Sequence, residues 1–153
     1  MWNRKQSVVL SLIACGIAAL AVVALMVFGP MLFQSYFGKF RHLEAQQLKT
    51  LGQVMGICVY IGCVLGLTAL AQLIRMLVNI YRDRVFIKEN VSALRCISWC
   101  CFAVSAVAIY GGFSYFPFFF VAAAAAFVGV ILRVVKNVMQ SAVSLREEND
   151  LTI

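Results

Sequence analysis

Charged side chains leave this chain for long intervals and return in short clusters, and that alternation predicts four helices. Ser7 to Phe28 is 22 residues with no charge, and Leu51 to Ile74 is 24. Cys96 to Leu132 is 37 residues without Asp, Glu, Lys, Arg or His. One helix of that length would run roughly 55 Å at ~1.5 Å per residue, against the ~30 Å hydrocarbon thickness of a bilayer. The third stretch must therefore cross twice. Its turn is legible at Gly111-Gly112-Phe113-Ser114-Tyr115-Phe116-Pro117, where paired glycines free the backbone and a proline restarts a helix where no amide donor is needed. The expected architecture is all-α: an integral membrane four-helix bundle forming a single membrane domain over 1–153. Its spans are expected near 7–28, 51–74, 92–112 and 116–135.

Composition agrees. At 63% hydrophobic and 12% charged, 153 residues carry too few polar groups to coat a water-soluble globule. Arg4 and Lys5 ahead of the first apolar run, with Ala19-Leu20-Ala21 inside it, resemble a secretory signal. The run nonetheless continues to a stop at Gly29-Pro30, beyond the ~7 to 15 residues of a signal core, so it is expected to remain as an anchor.

Orientation follows from the thirteen Lys and Arg. Basic residues near span ends stay on the cytoplasmic side. With both termini inside, that side holds Arg4, Lys5, Arg75, Arg82, Arg84, Lys88, Arg95, Arg133, Lys136 and Arg146, leaving only Lys39, Arg41 and Lys49 outside. The reading is N-in and C-in, with an outer loop over 29–50, a cytoplasmic loop over 75–91 and a cytoplasmic tail over 136–153. The net charge of +7 then points to anionic lipid headgroups rather than to direct nucleic-acid binding. In the outer loop Phe33, Tyr36, Phe37, Phe40, Leu43, Leu48 and Leu51 recur at helical spacing opposite Lys39, Arg41, Glu44, Gln46, Gln47 and Lys49, as an amphipathic interfacial segment would.

Small residues mark candidate packing faces. Gly52, Gly56, Gly62 and Gly66 fall within an arc of about 120° on the second helix, and Ala122, Ala126 and Gly129 lie along the fourth. Both suit close backbone approach inside one chain, and the glycine face also suits a homodimer. Catalytic chemistry finds no foothold. The six cysteines lie within spans or at their edges without a CxxC pair, and His42 has no ligand-type neighbour, so neither a disulfide, a metal nor a cofactor is expected. No span contains a carboxylate of the kind proton-coupled exporters need, and Gln53, Thr68, Gln72, Ser98 and Ser105 suit helix-to-helix hydrogen bonds. No triad, HExxH or phosphate loop is present, so the chain is read as a non-enzyme.

Two organised pieces remain, both assigned to the cytoplasm. The second helix continues past its span into the basic cluster Arg82-Asp83-Arg84, then Phe86-Ile87-Lys88-Glu89-Asn90-Val91; the fourth outruns its span and ends in Glu147, Glu148, Asn149, Asp150, Leu151, Thr152 and Ile153. Phe86-x-x-Glu89-Asn90-Val91-x-x-Leu94-Arg95 and Leu145-x-x-Glu148-Asn149-Asp150-Leu151-Thr152-Ile153 resemble the characteristic segments of a bacterial family of four-helix membrane proteins, domain of unknown function 2975. The resemblance implies a bacterial plasma (inner) membrane protein without an established activity, of a kind often encoded beside a small helix-turn-helix regulator.

The expected function is therefore a membrane-anchored interaction or regulatory protein holding a small DNA-binding regulator at its cytoplasmic face. Arg82, Arg84, Phe86, Lys88, Glu89, Asn90, Glu147, Glu148, Asn149, Asp150, Leu151 and Ile153 are the candidate contacts. The acidic tail can instead fold back on Arg82, Arg84 and Lys88. The alternative function is small-solute or lipid handling, channel or transporter-like, through the glycine face and the outer aromatics.

Overall fold

The structure, a computed structural model, describes residues 4–37 and 45–151. It is all-α, with α1 Arg4–Phe37, α2 Ala45–Tyr81, α3 Lys88–Gly112 and α4 Phe118–Leu151. All four helices are long and apolar enough to cross a membrane, over Gln6–Leu32, Thr50–Tyr81, Lys88–Gly112 and Phe118–Arg146. The chain is a multi-pass membrane protein by that measure.

Each helix packs on its chain neighbour: α1 on α2, α2 on α3, α3 on α4, with no close backbone approach between non-consecutive helices among the described residues. The packing is antiparallel throughout. On α3 and α4, Ser98 Oγ donates to Gly129 O and Ser105 Oγ to Ala122 O, both at 2.9 Å, so residues rising by seven on one helix meet residues falling by seven on the other. These are the interhelical hydrogen bonds expected of Ser98 and Ser105. On α2 and α3, Asn79 meets Asn90 at one end, and Cys58 lies against Gly111 at the other. α3 is thus sandwiched, and it carries half of the buried hydrophobic side chains among the described residues, namely Val91, Ala93, Leu94, Ile97, Cys100 and Ala108. α1 is peripheral; Cys15 is its one buried hydrophobic side chain among the described residues.

α1 does not stop at Gly29-Pro30, as the sequence suggests, but continues to Phe37. Proline lacks the N–H that would bond the carbonyl four residues back, here that of Met26. Tyr60 of α2 donates its hydroxyl to that carbonyl at 2.9 Å, so the acceptor orphaned by Pro30 is satisfied from the next helix. Consequently residues 29–37 of the expected outer segment extend α1, and 45–50 open α2. The rest of that segment, with Phe40, His42, Leu43 and the outer charges Lys39, Arg41 and Glu44, lies outside the described residues.

The α3–α4 turn falls where the sequence places it, but its glycines act differently. No described glycine has a positive φ. Gly111 and Gly112 are buried under the rings of Phe118 and Phe119; a Cβ on Gly112 would come within 2.9 Å of the Phe119 ring, and one on Gly111 within 3.3 Å of Cys58 Sγ. They are required for closeness, not for backbone freedom. Pro117 precedes α4, and edge-to-face pairs Phe113–Phe119, Phe116–Phe119 and Phe116–Phe120 knit this end together.

The second-helix glycines are a correction of another kind. A Cβ on Gly56, Gly62 or Gly66 would meet nothing within 4 Å, so this face makes no tight backbone contact within the chain. Met55 and Cys63 share the arc and are buried, so side chains rather than bare backbone make its contacts. Gly52 is half-buried. On α4 close packing does occur: Ala122 is buried, Ala126 half-buried, and Gly129 sits 3.3 Å from Cys101 Cβ and the Phe102 ring, measured from an added Cβ.

Candidate functional site: the loop end

The end that carries the α2–α3 loop and the C-terminus of α4 holds the main polar organisation among the described residues. α2 stops by a paired closure. Arg84 N donates to Asn79 O at 3.0 Å and Asp83 N to Ile80 O at 3.1 Å, the six-to-one and five-to-two bonds of a Schellman motif. Such a motif needs a left-handed residue, and Asp83 supplies it at φ 59°. Aspartate is one of the few non-glycine residues that tolerate this conformation.

The four residues from Arg84 to Ile87 then bridge to α3, and Asn90 holds them. Its side chain is fully enclosed, 0% exposed. Asn90 Nδ2 donates to Arg84 O at 3.0 Å and Val85 O at 2.8 Å, while its Oδ1 accepts from Asn79 Nδ2 at 2.9 Å. One amide therefore ties the loop to the last turns of α2 and the first turn of α3. The consequence for Asn90 is a correction: a side chain with no exposed surface does not meet a partner, and its role is to shape the loop.

What the clamp presents is open. Phe86 is 47% exposed, and Arg82, Arg84, Lys88 and Glu89 face solvent around it. α3 begins without a side-chain cap, and Glu89 in its first turn complements the helix dipole. A cavity of about 620 Å³ lies here, lined by Asp83, Arg84 and Phe86 before α3, by Lys88 and Glu89 of its first turn, and by Val143 and Arg146 from α4. Two smaller hollows adjoin it. One of about 400 Å³ lies between α3 and α4, and one of about 550 Å³ lies between α2 and α3, reaching Gln72, Arg75 and Ser92.

The structure therefore brings together Arg84, Phe86, Lys88 and Glu89, with Arg82 exposed beside them. Glu148 and Asn149 are exposed on α4, whose backbone runs on as helix to Leu151. The side chains of Glu147, Asp150 and Leu151, and all of Ile153, lie outside the described residues. Sequence reasoning missed Val143 and Arg146, which sit three apart on one face of α4. It also missed Asn79, whose signal is a lone amide in an apolar turn, the usual mark of a buried hydrogen-bonding group. Farther along α4, the Arg133 guanidinium lies 5.3 Å from the Trp99 ring centroid, a cation–π pair where charge returns to the helix. Among the described residues no group of three His, Cys, Asp or Glu is placed to hold a metal.

No curated protein and no solved structure matches the chain. Residues 38–153 match a family described as "Protein of unknown function (DUF2975)". The matched region contains α2, α3 and α4 with the whole loop end, and α1 precedes it. With three of its four helices and both of its motif-bearing segments inside that match, the chain belongs to the DUF2975 family.

Proposed function

We propose that this is a non-enzymatic, membrane-anchored interaction protein of the bacterial inner membrane, with both termini in the cytoplasm, holding a small DNA-binding regulator at its loop end. The distribution of Lys and Arg supports that orientation. The observation that carries the reading is the clamped loop: a fully buried Asn90 spends three hydrogen bonds on holding Arg84 to Ile87 in a shape that exposes an aromatic ring among charges. The exposed half of the Phe86 ring adds nothing to packing within the chain. It suits a protein partner, whose interfaces centre on buried aromatic and arginine side chains. Leu145 is 62% exposed on α4, and the acidic residues that follow it complement the basic face a DNA-binding regulator uses.

The test is pull-down of a purified small helix-turn-helix regulator by the intact chain in membranes, by a chain lacking residues 145–153, and by Phe86→Ser. Truncation and Phe86→Ser are each expected to lower recovery by about tenfold or more, the effect of losing one interface hot spot. Equal recovery from all three would refute the proposal. Labelling of a single cysteine placed at Asn149 must also report the cytoplasmic side; an outside position removes the partner's access altogether.

A further inference from the structure

The 400 Å³ hollow between α3 and α4 differs in charge from its two neighbours. Lys88, Val91, Ser92 and Arg95 line it from α3, at the spacing of one helix face, and Gln140, Val143 and Ser144 line it from α4 in the same way. Among the described residues, two cations, three neutral polar groups and two valines make up its wall, and no carboxylate does. The other two hollows each contain Glu89, and the largest Asp83 as well. The single Ser144 hydroxyl hydrogen is shared between Gln140 O and Ser141 O, while Lys88, Arg95, the Gln140 amide and Ser92 carry further donors on the wall.

Its depth is as informative as its charge. Arg95 is the last charged residue before the 37-residue apolar stretch, so the hollow begins where hydrocarbon ends. From Arg95 to Lys88 is about 10 Å along the helix, comparable to the roughly 5–8 Å headgroup layer on one side of a bilayer. Val91 and Val143 form an apolar wall there.

We infer that this groove is a binding site for a phosphate-bearing anion, the phosphodiester headgroup of an anionic phospholipid, with Arg95 and Lys88 as its cationic ligands and Gln140 as a neutral donor. Arginine matches phosphate oxygens with two parallel N–H bonds, while the lysine ammonium adds a compact charge. The site is separate from the exposed Phe86 surface, though Lys88 and Val143 line both hollows, so headgroup and protein partner share a wall.

The test is native mass spectrometry of the full-length protein, from mild detergent supplied with phosphatidylglycerol and phosphatidylcholine in equal amounts. The intact chain should retain phosphatidylglycerol in preference by about thirtyfold, the effect of two basic side chains at an anionic surface. Lys88→Gln with Arg95→Gln should abolish the preference, while Arg82→Gln, outside the groove, should keep it. Gln140→Glu, which touches neither cation but adds a carboxylate, should also lower it. Loss of preference in the groove variants together with displacement by inorganic phosphate assigns the same site to a soluble phosphate source; loss without such displacement assigns it to lipid. No preference in the intact chain, or a preference that the double variant retains, overturns the inference.

Discussion

Replacing Asn90 by Ala should open the loop without unfolding the membrane helices. The side chain makes three hydrogen bonds, two as donor to the Arg84 and Val85 carbonyls and one as acceptor from Asn79. At a net ~1 kcal/mol per bond the change removes about 3 kcal/mol from the closed loop, and it also leaves acceptors short of a donor in an enclosed place. At roughly 1.4 kcal/mol per tenfold, the open population should rise about 100-fold. Trypsin reads that population directly, because Arg82 and Arg84 lie in the segment released and cleavage follows the fraction of time the segment is open. Cleavage at those two positions should accelerate about 100-fold by the same arithmetic, while cleavage after Arg133 on α4 stays at its original rate. Asn79→Ala forfeits one bond and should give roughly tenfold or less. Asn90→Asp separates shape from hydrogen bonding. It keeps the size and the acceptor for Asn79, but sets oxygens against the Arg84 and Val85 carbonyls, so it should open the loop at least as far as Asn90→Ala. Cleavage within about threefold of the parent in Asn90→Ala, or an innocuous Asn90→Asp, would show that the amide does not hold the loop, since ~3 kcal/mol was at stake.

Two further outcomes test the packing. Tyr60→Phe should cost roughly 0.5–1.5 kcal/mol of thermal or denaturant stability in detergent, but only while Pro30 is present; Pro30→Ala restores an N–H to the Met26 carbonyl, and an equal cost in both backgrounds would refute the hydroxyl's role. Gly129→Leu should destabilise by more than ~2 kcal/mol, because Cys101 and the Phe102 ring already crowd that position, whereas Gly62→Ala should be neutral or stabilising by up to about 1 kcal/mol through helix propensity. Measured by the same unfolding assay, a tolerant Gly129 or a sensitive Gly62 would reverse the assignment of packing faces.

The helices were legible because lipid leaves one readable demand, a long uncharged run, and three such runs are plain in the chain. Lateral packing was not legible to the same degree. The small-residue pattern on α2 looks as suited to close approach as that on α4, yet the α2 glycines meet open space while Gly129 is crowded. Which small residues are used depends on the side chains beside them, and periodicity says nothing of that. Gly29-Pro30 reads as a stop because proline removes a hydrogen bond; the donor that compensates, Tyr60, is 34 positions from the Met26 acceptor, too far for local pattern to connect. At the loop end, Phe86, Arg84, Lys88 and Glu89 were found as exposed candidates. Asn90 was taken for one of them because it stands in the same polar segment, directly after Lys88 and Glu89. Only its three-dimensional partners identify it as buried structure.

The position of the loop end follows from polar atoms elsewhere in the bundle. Between lipid-facing helices, hydrocarbon contact gains little over contact with lipid tails, so hydrogen bonds and close fit decide which helix meets which, and in what register. Each neighbouring pair here has such a device: Tyr60 to Met26 for α1 and α2, Asn79 to Asn90 for α2 and α3, and Ser98 to Gly129 with Ser105 to Ala122 for α3 and α4. The last pair is the most restrictive, because two donors seven residues apart must meet two acceptors seven residues apart. A slide of one helical turn, three or four residues, would break both at once and leave the two hydroxyls only the carbonyls of their own helix. With that register held, Lys88 and Val91 of α3 must stand beside Val143 of α4, the two sides of the loop-end cavities. The arrangement of the candidate site is thus set seven or more residues away, inside the apolar part of α3, whereas among the described residues α1, joined to α2 alone, contributes nothing to its walls.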